Sequence, residues 1–422
     1  MVKKIKFSQR IFRFFKILGP GLITGASDDD PSGIATYSQA GAAYGLSTLW
    51  TALITFPLMA SIQQMCARIG LVTSQGLAGT LKANYPKSIL YLTVLFSFPA
   101  IVMNIGADIA GMGAVGTLLI PSVRPVFFTF GFTLLLLVLI IFLPYQKIAS
   151  VLKYLCVVLL VYFVVPFLVK QNFPAILKST FIPTLKFNKE YVSILVAILG
   201  TTISPYLFFW QATMEVEDQK KKKKQLIVNK HVLNEMHKDV DIGMLFSNLT
   251  MFFIILTTGT VLFNAGIYKI DTVEQAAQAL KPLAGNFAYL LFAVGVIGTG
   301  LLAIPVLSGS LSYIITETFG WEEGLDKKFN QAKAFYIVIA ISLMLGLLLN
   351  YIGISPIKAL IYSAILYGLT APVLIAIILH ICNNKKIMGK NTNGIGSNVL
   401  GFATLILMTV AAVVLIYLQF RS

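Results

Sequence analysis

Residues 27–33, SDDDPSG, place three consecutive aspartates beside a proline inside an otherwise apolar run. A carboxylate at bilayer depth costs about 2.5–3.5 kcal/mol or more and usually marks an ion or substrate pathway. Pro31 disfavours helical geometry at Asp30, so neighbouring carbonyls lose their intrahelical partners. Such carbonyls beside a carboxylate suit a hard cation. Asp30 is therefore our first candidate ligand, while Asp28 and Asp29 are expected to solvate a vestibule or contact neighbouring polar groups.

A second apolar run is interrupted in the same way, by Pro205 within LGTTISPYLFFWQA (199–212). Paired interruptions at matching places in two halves of a chain indicate an inverted-repeat transporter whose substrate lies between the breaks. Non-helical backbone survives at membrane depth only where it lines a cavity or is buried in protein. The alternative interpretation is a proline kink that only shapes helix packing. This alternative is stronger for Pro205 alone than for Asp30 with Pro31.

Composition excludes a soluble domain. Of the 422 residues, 57% are hydrophobic and 12% are charged, and the mean hydropathy is +0.82, which is typical of polytopic membrane proteins. The net charge of +16 comes from basic residues between apolar runs, a pattern of cytoplasmic loops rather than of nucleic-acid binding. Cys66, Cys156 and Cys382 show neither disulfide nor metal spacing. No nucleophile with a positioned base is present, so we expect neither an enzyme nor a bound cofactor.

The apolar runs are long enough for about eleven membrane-spanning helices, since one crossing needs about 20 residues. The predicted spans are 17–42, 46–69, 88–117, 125–144, 149–170, 190–215, 241–265, 285–315, 334–350, 357–381 and 396–419. We expect one transport domain over residues 1–422, with a cytoplasmic N-terminus (1–16), a first repeat (17–170), a second repeat (190–381) and an extra C-terminal helix (396–419).

Basic residues predict the orientation. Most of them, including the run Lys220–Lys224, fall in alternate loops, which therefore lie on the same side of the membrane. Because basic loops stay in the cytoplasm, the N-terminus is expected in the cytoplasm and the C-terminus outside a cell membrane. A second set, in the loop before the sixth span, falls on the outside and has no better assignment: Lys170, Lys178, Lys186 and Lys189. His231 and His237 lie near the lysine run, where a solvated loop is favoured over a metal site.

GPGLITGASDDDPSGIATYSQAGAAYG (19–45) and LGTTISPYLFFWQA resemble the first and sixth helices of the NRAMP family of divalent-metal transporters. The resemblance implies an amino-acid-transporter-type (LeuT-like) fold of 5+5 spans with discontinuous helices 1 and 6. Typical members carry DPGN in the first motif, and MPH preceded by a small residue in the second. Their metal is bound by the Asp and Asn side chains, the Met sulfur and backbone carbonyls.

The resemblance assigns the ligands, and this chain departs from it at several of them. Asp30 is kept, and Ser32 and Gly33 stand where Gly and Asn are typical. The expected backbone ligands are the carbonyls near Gly33 and Thr201. Ser204 replaces the Met. A thioether favours transition metals, so its loss leaves hard oxygen donors, and the missing Asn and Met side chains leave room for a partly hydrated ion. This combination resembles the magnesium-transporting branch of the family.

Proton coupling is not expected. The family's two histidines are replaced by Tyr206 and Gln211, neither of which titrates near pH 7. Of an acidic pair in the third span, Asp108 is kept and Gly111 replaces the Glu, and the ninth span lacks the family's arginine. Asp108 is open to two interpretations, a structural hydrogen-bond acceptor or an aid to cation passage.

These patterns predict a secondary transporter that imports divalent cations, Mg²⁺ and with it Mn²⁺, by alternating access. The expected partners are the cation and the lipid bilayer. One alternative is a classical proton-coupled Mn²⁺/Fe²⁺ carrier. Another is a cation-coupled amino-acid symporter of the same fold, although an aspartate at the first break argues against it. A membrane scaffold or enzyme would leave the paired breaks unexplained.

Overall fold

The structure, a computed structural model, describes residues 19–144, 147, 157–222 and 228–421. Within these residues the regular structure is helical and contains no strand, which confirms the predicted all-α class. The α-helices are α1 (Pro20–Asp28), α2 (Pro31–Tyr44), α3 (Trp50–Thr73), α4 (Leu77–Asn84), α5 (Lys87–Leu119), α6 (Pro125–Phe142), α7 (Val161–Leu168), α8 (Phe173–Phe181), α9 (Lys189–Thr202), α10 (Pro205–Lys222), α11 (Lys230–Val261), α12 (Val273–Ala277), α13 (Lys281–Ala284), α14 (Ala288–Phe319), α15 (Lys333–Leu349), α16 (Pro356–Asn383), α17 (Lys385–Met388) and α18 (Ile395–Arg421).

Each predicted apolar run contains a helix or, at the two breaks, a pair of helices. Five predicted features lie wholly or partly outside the described residues: the N-terminal segment 1–16, the start of the span 17–42, the start of the span 149–170, Cys156, and the end of the lysine run. In the described ranges, seven helices or helix pairs are long and apolar enough to cross a membrane: α5, α6, α9 with α10, α11, α14, α16 and α18. The count of eleven spans and the repeat boundaries stay predictions.

Helix α2 is not among these seven helices, because it has only 14 residues. Its residues 31–42 are all buried, so this helix contacts protein rather than lipid and does not need an apolar surface. Small and polar side chains such as Ser38 and Gln39 are therefore compatible with a position inside the helix bundle.

Helix α11 begins at Lys230 rather than at 241, so the predicted loop around His231 and His237 is wrong. Asn229 is the reason, because its side-chain oxygen accepts hydrogen bonds from the backbone N–H groups of His231 and the next residue, both at 3.0 Å. These bonds satisfy donors that a helix leaves free in its first turn. His231 is nevertheless solvent-exposed and lies 3.3 Å from exposed Glu235.

Both predicted breaks are present. Helix α1 ends at Asp28, and Asp30 is extended (φ −73°, ψ 172°) before α2 begins at Pro31. Helix α9 ends at Thr202, and α10 begins at Pro205. In each case the proline occupies the first helical position, where its missing N–H costs nothing. Discontinuous first and sixth spans are therefore confirmed.

Glycines hold α1 against α11 at very short range. A Cβ atom on Gly25 would lie 2.2 Å from the carbonyl oxygen of Gly243, and one on Gly243 would lie 2.1 Å from that of Gly21. Small residues of this kind let membrane helices approach backbone to backbone. Asp239 of α11 also accepts hydrogen bonds from the backbone N–H groups of Gly19 (2.9 Å) and Gly21 (2.7 Å). The first half-helix is thus fixed at its start and along its length.

Gly25→Ala should therefore destabilise the protein. The added methyl group forces α1 away from α11, and overpacking of this kind costs about 1–3 kcal/mol. Gly131→Ala is the matched control, because a Cβ there meets nothing within 4 Å and alanine favours a helix over glycine. Thermal unfolding in detergent should show a lower Tm for Gly25→Ala and an unchanged or higher Tm for Gly131→Ala. Equal Tm values for the two variants would contradict the close contact.

Candidate cation site at the helix breaks

Asp30 caps the second half of the first discontinuous span. Its Oδ1 accepts hydrogen bonds from the Ser32 hydroxyl (2.6 Å) and the Gly33 backbone N–H (2.8 Å). This is the preferred arrangement at a helix start, where the helix dipole also favours negative charge. Its Oδ2 accepts a hydrogen bond from the Asn104 side chain at 2.9 Å. The carboxylate is therefore held in one orientation.

The bonding of Asp30 leaves capacity for a ligand. A carboxylate has about four acceptor positions on its two oxygens, and the bonds from Ser32, Gly33 and Asn104 use three of them. The remaining position is on Oδ2. Asn104 is itself fixed, because its side-chain oxygen accepts a hydrogen bond from the Ser363 hydroxyl at 2.9 Å. The position of Asp30 Oδ2, the oxygen available to a cation, is thus fixed by contacts among α2, α5 and α16.

The second break presents Ser204 and Thr201 together. The Ser204 hydroxyl donates to the Thr201 carbonyl at 2.6 Å, and it also lies 3.3 Å from the Gly200 carbonyl and 3.3 Å from Asp28 Oδ1. A hydroxyl carries one proton, so only one of these contacts is donated at a time. The predicted carbonyl and hydroxyl ligands therefore lie within one hydrogen bond of each other.

The two breaks meet at Gly33 and Thr201. A Cβ atom on Gly33 would lie 3.4 Å from Thr201 Oγ1 and 3.5 Å from the Asp28 carbonyl oxygen, and Ser32 Oγ lies 3.4 Å from Thr201 Oγ1. The four predicted ligand residues are consequently brought to one junction, listed here in chain order: Asp30, Gly33, Thr201 and Ser204. Their role as ligands stays a prediction.

Asp28 is the residue at this junction whose position was not predicted. Its Oδ2 accepts a hydrogen bond from the Ser247 hydroxyl of α11 at 2.7 Å, while its Oδ1 faces Ser204. Asp28 and Asp29 are each 1% exposed, so they contact neighbouring polar groups rather than a vestibule. Ser247 is a polar residue within an apolar span, and so is Asn104. This property could have identified both residues from the sequence.

Asp108 lies on α5, one turn after Asn104, and is fully buried. Neither of its carboxylate oxygens has a hydrogen-bond partner among the described residues. The backbone N–H of Ser32 lies near this carboxylate, so both interpretations of Asp108 stay open. One turn further on, a Cβ at Gly111 would lie 3.7 Å from Pro31 Cβ. This face of α5 thus runs along the first break.

Comparison with known proteins identifies the family. The sequence model of the Nramp family, described as natural resistance-associated macrophage protein-like, matches residues 21–418. This chain belongs to the NRAMP family. A relative named divalent metal cation transporter MntH, from Caldanaerobacter subterraneus subsp. tengcongensis, is 24% identical over 391 residues, covering 92% of this chain and 89% of that protein. Family membership confirms a multi-pass membrane transporter that is not an enzyme. The magnesium branch, the cell membrane and the orientation stay predictions.

Solved structures confirm the fold. The Eremococcus coleocola manganese transporter, in complex with an aromatic bis-isothiourea substituted compound, matches with a TM-score of 0.74 at 17% identity, over 95% of this chain and 87% of that one. Mhp1, a nucleobase-cation-symport-1 family transporter with bromovinylhydantoin bound, matches with a TM-score of 0.57 at 12% identity, over 94% and 92% of the two chains. The predicted LeuT-like architecture is therefore confirmed.

Typical NRAMP members carry histidine at two positions that are Tyr206 and Gln211 here. Both side chains form hydrogen bonds between α10 and α1. The Tyr206 hydroxyl donates to the Ser27 carbonyl at 3.0 Å. The Gln211 side chain accepts from the Thr24 hydroxyl at 2.5 Å and donates to Glu215 at 3.0 Å. Both residues therefore tie α10 to α1 and contribute no group that titrates near pH 7.

The described residues contain no group of three or more His, Cys, Asp or Glu side chains arranged to hold a metal ion. The other oxygen groups at this junction are backbone carbonyls and hydroxyl groups. Such oxygen ligands suit hard cations that keep some of their water.

Proposed function

We propose that this chain is a secondary transporter that imports divalent cations, Mg²⁺ first and Mn²⁺ with it, by alternating access and without proton coupling. The observation that carries the proposal is the donor set at the junction: the Asp30 carboxylate, the Thr201 carbonyl and the Ser204 hydroxyl. All three are hard oxygen donors, which suit Mg²⁺ and Mn²⁺ better than softer ions. The names of the relatives, a divalent metal cation transporter and a manganese transporter, agree with this class of substrate.

Gly33 limits how much side-chain volume lies between the two breaks. Gly33 has no side chain, and a Cβ there would point at Thr201 and the Asp28 carbonyl at ordinary contact distance, 3.4–3.5 Å. A larger residue at this position would take up space between the two breaks. Mg²⁺ gives up its water reluctantly and usually keeps several water ligands, so a bulky residue at this position would disfavour it.

The absence of proton coupling is proposed from the bonding of α10. Tyr206 and Gln211 are each committed to hydrogen bonds with α1 and do not exchange protons near pH 7. Inward transport of a divalent cation then draws on its own gradient and on the membrane potential. That potential supplies about 2.3 kcal/mol per charge for each 100 mV, which applies to both charges of the ion.

A proton-coupled Mn²⁺/Fe²⁺ carrier is the second candidate, because one observation favours it. Asp108 is fully buried on the face of α5 that runs along the first break, and a carboxyl group in such a place can carry a proton. The amino-acid symporter has no such support. In that class a half-helix N-terminus binds the substrate carboxylate, and here the Asp30 carboxylate already caps α2.

Uptake into proteoliposomes tests the proposal. Vesicles that contain a Mg²⁺ indicator and a pH dye should show saturable Mg²⁺ entry, accelerated by an inside-negative potential, without acidification. Mn²⁺ should enter the same vesicles and compete with Mg²⁺. Protein-free vesicles and vesicles with the Asp30→Asn variant are the controls. Entry of Mn²⁺ with acidification, and no entry of Mg²⁺, would contradict the proposal and support the proton-coupled carrier.

A further inference from the structure

Asp28, Asp29 and Ser247 form a compact acidic cluster beside the proposed transport site, and we call these three residues the Asp28–Asp29 cluster. The Ser247 hydroxyl lies 2.7 Å from Asp28 Oδ2 and 3.3 Å from Asp29 Oδ1. One hydroxyl proton therefore serves two carboxylates, and it can be donated to only one of them at a time. Both aspartates are 1% exposed, so bulk water does not screen their repulsion.

The Asp29 carboxylate faces Ser247 and Thr250 of α11 and is incompletely bonded, because the Thr250 hydroxyl donates to a backbone carbonyl. Its Oδ1 faces the shared Ser247 hydroxyl, while its Oδ2 is buried without a hydrogen-bond partner among the described residues. A buried carboxylate oxygen in this condition carries a large desolvation cost unless a cation or a proton compensates it. Helix α1 ends at Asp28, and the negative end of its dipole favours a cation at the same place.

The charges of the surrounding residues indicate a divalent ion. Four aspartates, Asp28, Asp29, Asp30 and Asp108, are each at most 2% exposed. None of them forms an ion pair with any basic side chain in the described ranges. A divalent cation in the Asp28–Asp29 cluster would balance the charges of both aspartates when both are ionised.

We infer that the Asp28–Asp29 cluster is a second site for a divalent cation, next to the proposed transport site. Its ligands are the Asp28 and Asp29 carboxylates and the Ser247 hydroxyl, which are hard oxygen donors of the kind that Mg²⁺ and Mn²⁺ take. Asp28 connects the two sites, because its Oδ1 lies 3.3 Å from Ser204. The inference rests on the proposed function, since it assumes that the first ion is held at Asp30.

The stoichiometry of Mn²⁺ binding tests the second site. The purified full chain is titrated with Mn²⁺ in detergent at neutral pH, and free Mn²⁺ is measured by electron paramagnetic resonance. We expect two ions per chain for the unmodified protein, one for Asp29→Asn, one for Asp30→Asn and none for the double variant. Asp271→Asn is the matched control, because this aspartate is exposed and pairs with Lys269, and it should bind two ions.

Ser247→Ala keeps both charges and removes only the shared hydroxyl, so it tests the site if Asp29→Asn fails to fold. It should weaken binding of one ion by about tenfold, the effect of one hydrogen-bonding group, and leave the other ion unaffected. Binding of a single ion that Asp30→Asn removes and Asp29→Asn retains would overturn the second site alone, with protons then neutralising the cluster. Absence of Mn²⁺ binding to the unmodified chain would overturn the proposed function as well.

Discussion

Asp30→Asn should abolish divalent-cation uptake. The substitution removes the charge that we propose as the ligand and keeps an oxygen that can still cap α2 through the Gly33 N–H, since asparagine is as good a helix cap as aspartate. Asn104 can turn its amide to match the new side chain, because its other partner is the Ser363 hydroxyl, which donates or accepts. We expect a loss of at least about a hundredfold in uptake rate, more than the loss of an outer-shell partner of a metal site.

The measurement is Mg²⁺ and Mn²⁺ uptake into proteoliposomes, normalised to the amount of folded protein. Asp271→Asn is the matched control: it makes the same chemical change at an exposed aspartate and should transport at the unmodified rate. Asp30→Ala removes the cap as well as the charge, so it should lose stability in addition to uptake. Transport by Asp30→Asn at the normal rate would show that the ion is not bound at the first break.

Ser204→Met should shift selectivity towards softer ions. Ser204 lies at the junction, 2.6 Å from the Thr201 carbonyl and 3.3 Å from Asp28, so a thioether there would replace a hard hydroxyl donor with a soft one. Sulfur favours Mn²⁺ and especially Cd²⁺ over Mg²⁺. We expect the ratio of Cd²⁺ to Mg²⁺ uptake to rise by about tenfold, which corresponds to ~1.4 kcal/mol of differential binding.

Ser204→Leu separates the chemistry of sulfur from the size of the side chain. Leucine is similar in volume to methionine and has no ligand atom, and Ser204 is 2% exposed, so both variants add similar bulk at a buried place. Ser204→Leu should slow uptake of every ion without changing the ratio. Competition of Cd²⁺ with Mg²⁺ uptake provides the measurement. An equal shift in both variants, or no shift in either, would remove Ser204 from the set of ligands.

The sequence alone determined the positions of the two helix interruptions. Proline restricts its own φ angle and the residue before it, so SDDDPSG and TTISP mark the ends of half-helices before any tertiary contact is known. The observed boundaries, Asp28 to Pro31 and Thr202 to Pro205, follow from these local rules. The apolar runs similarly determined the helices, because each crossing of a bilayer needs its own apolar length. Helix α11 was misjudged at its start, where the cap Asn229 outweighs the polar composition of the first turns.

Only the tertiary structure decided which aspartate contacts which neighbour. Asp28 meets Ser204 and Ser247, which lie 176 and 219 residues further along the chain, and Asp30 meets Asn104, 74 residues away. Local patterns carry no information on such pairs, because successive residues of a helix point about 100° apart and the partner depends on which helix packs against each face. The close glycine contacts of α1 with α11 bring Ser247 to Asp28. The sequence therefore predicted a cation site at the breaks, and helix packing determined which oxygens meet there.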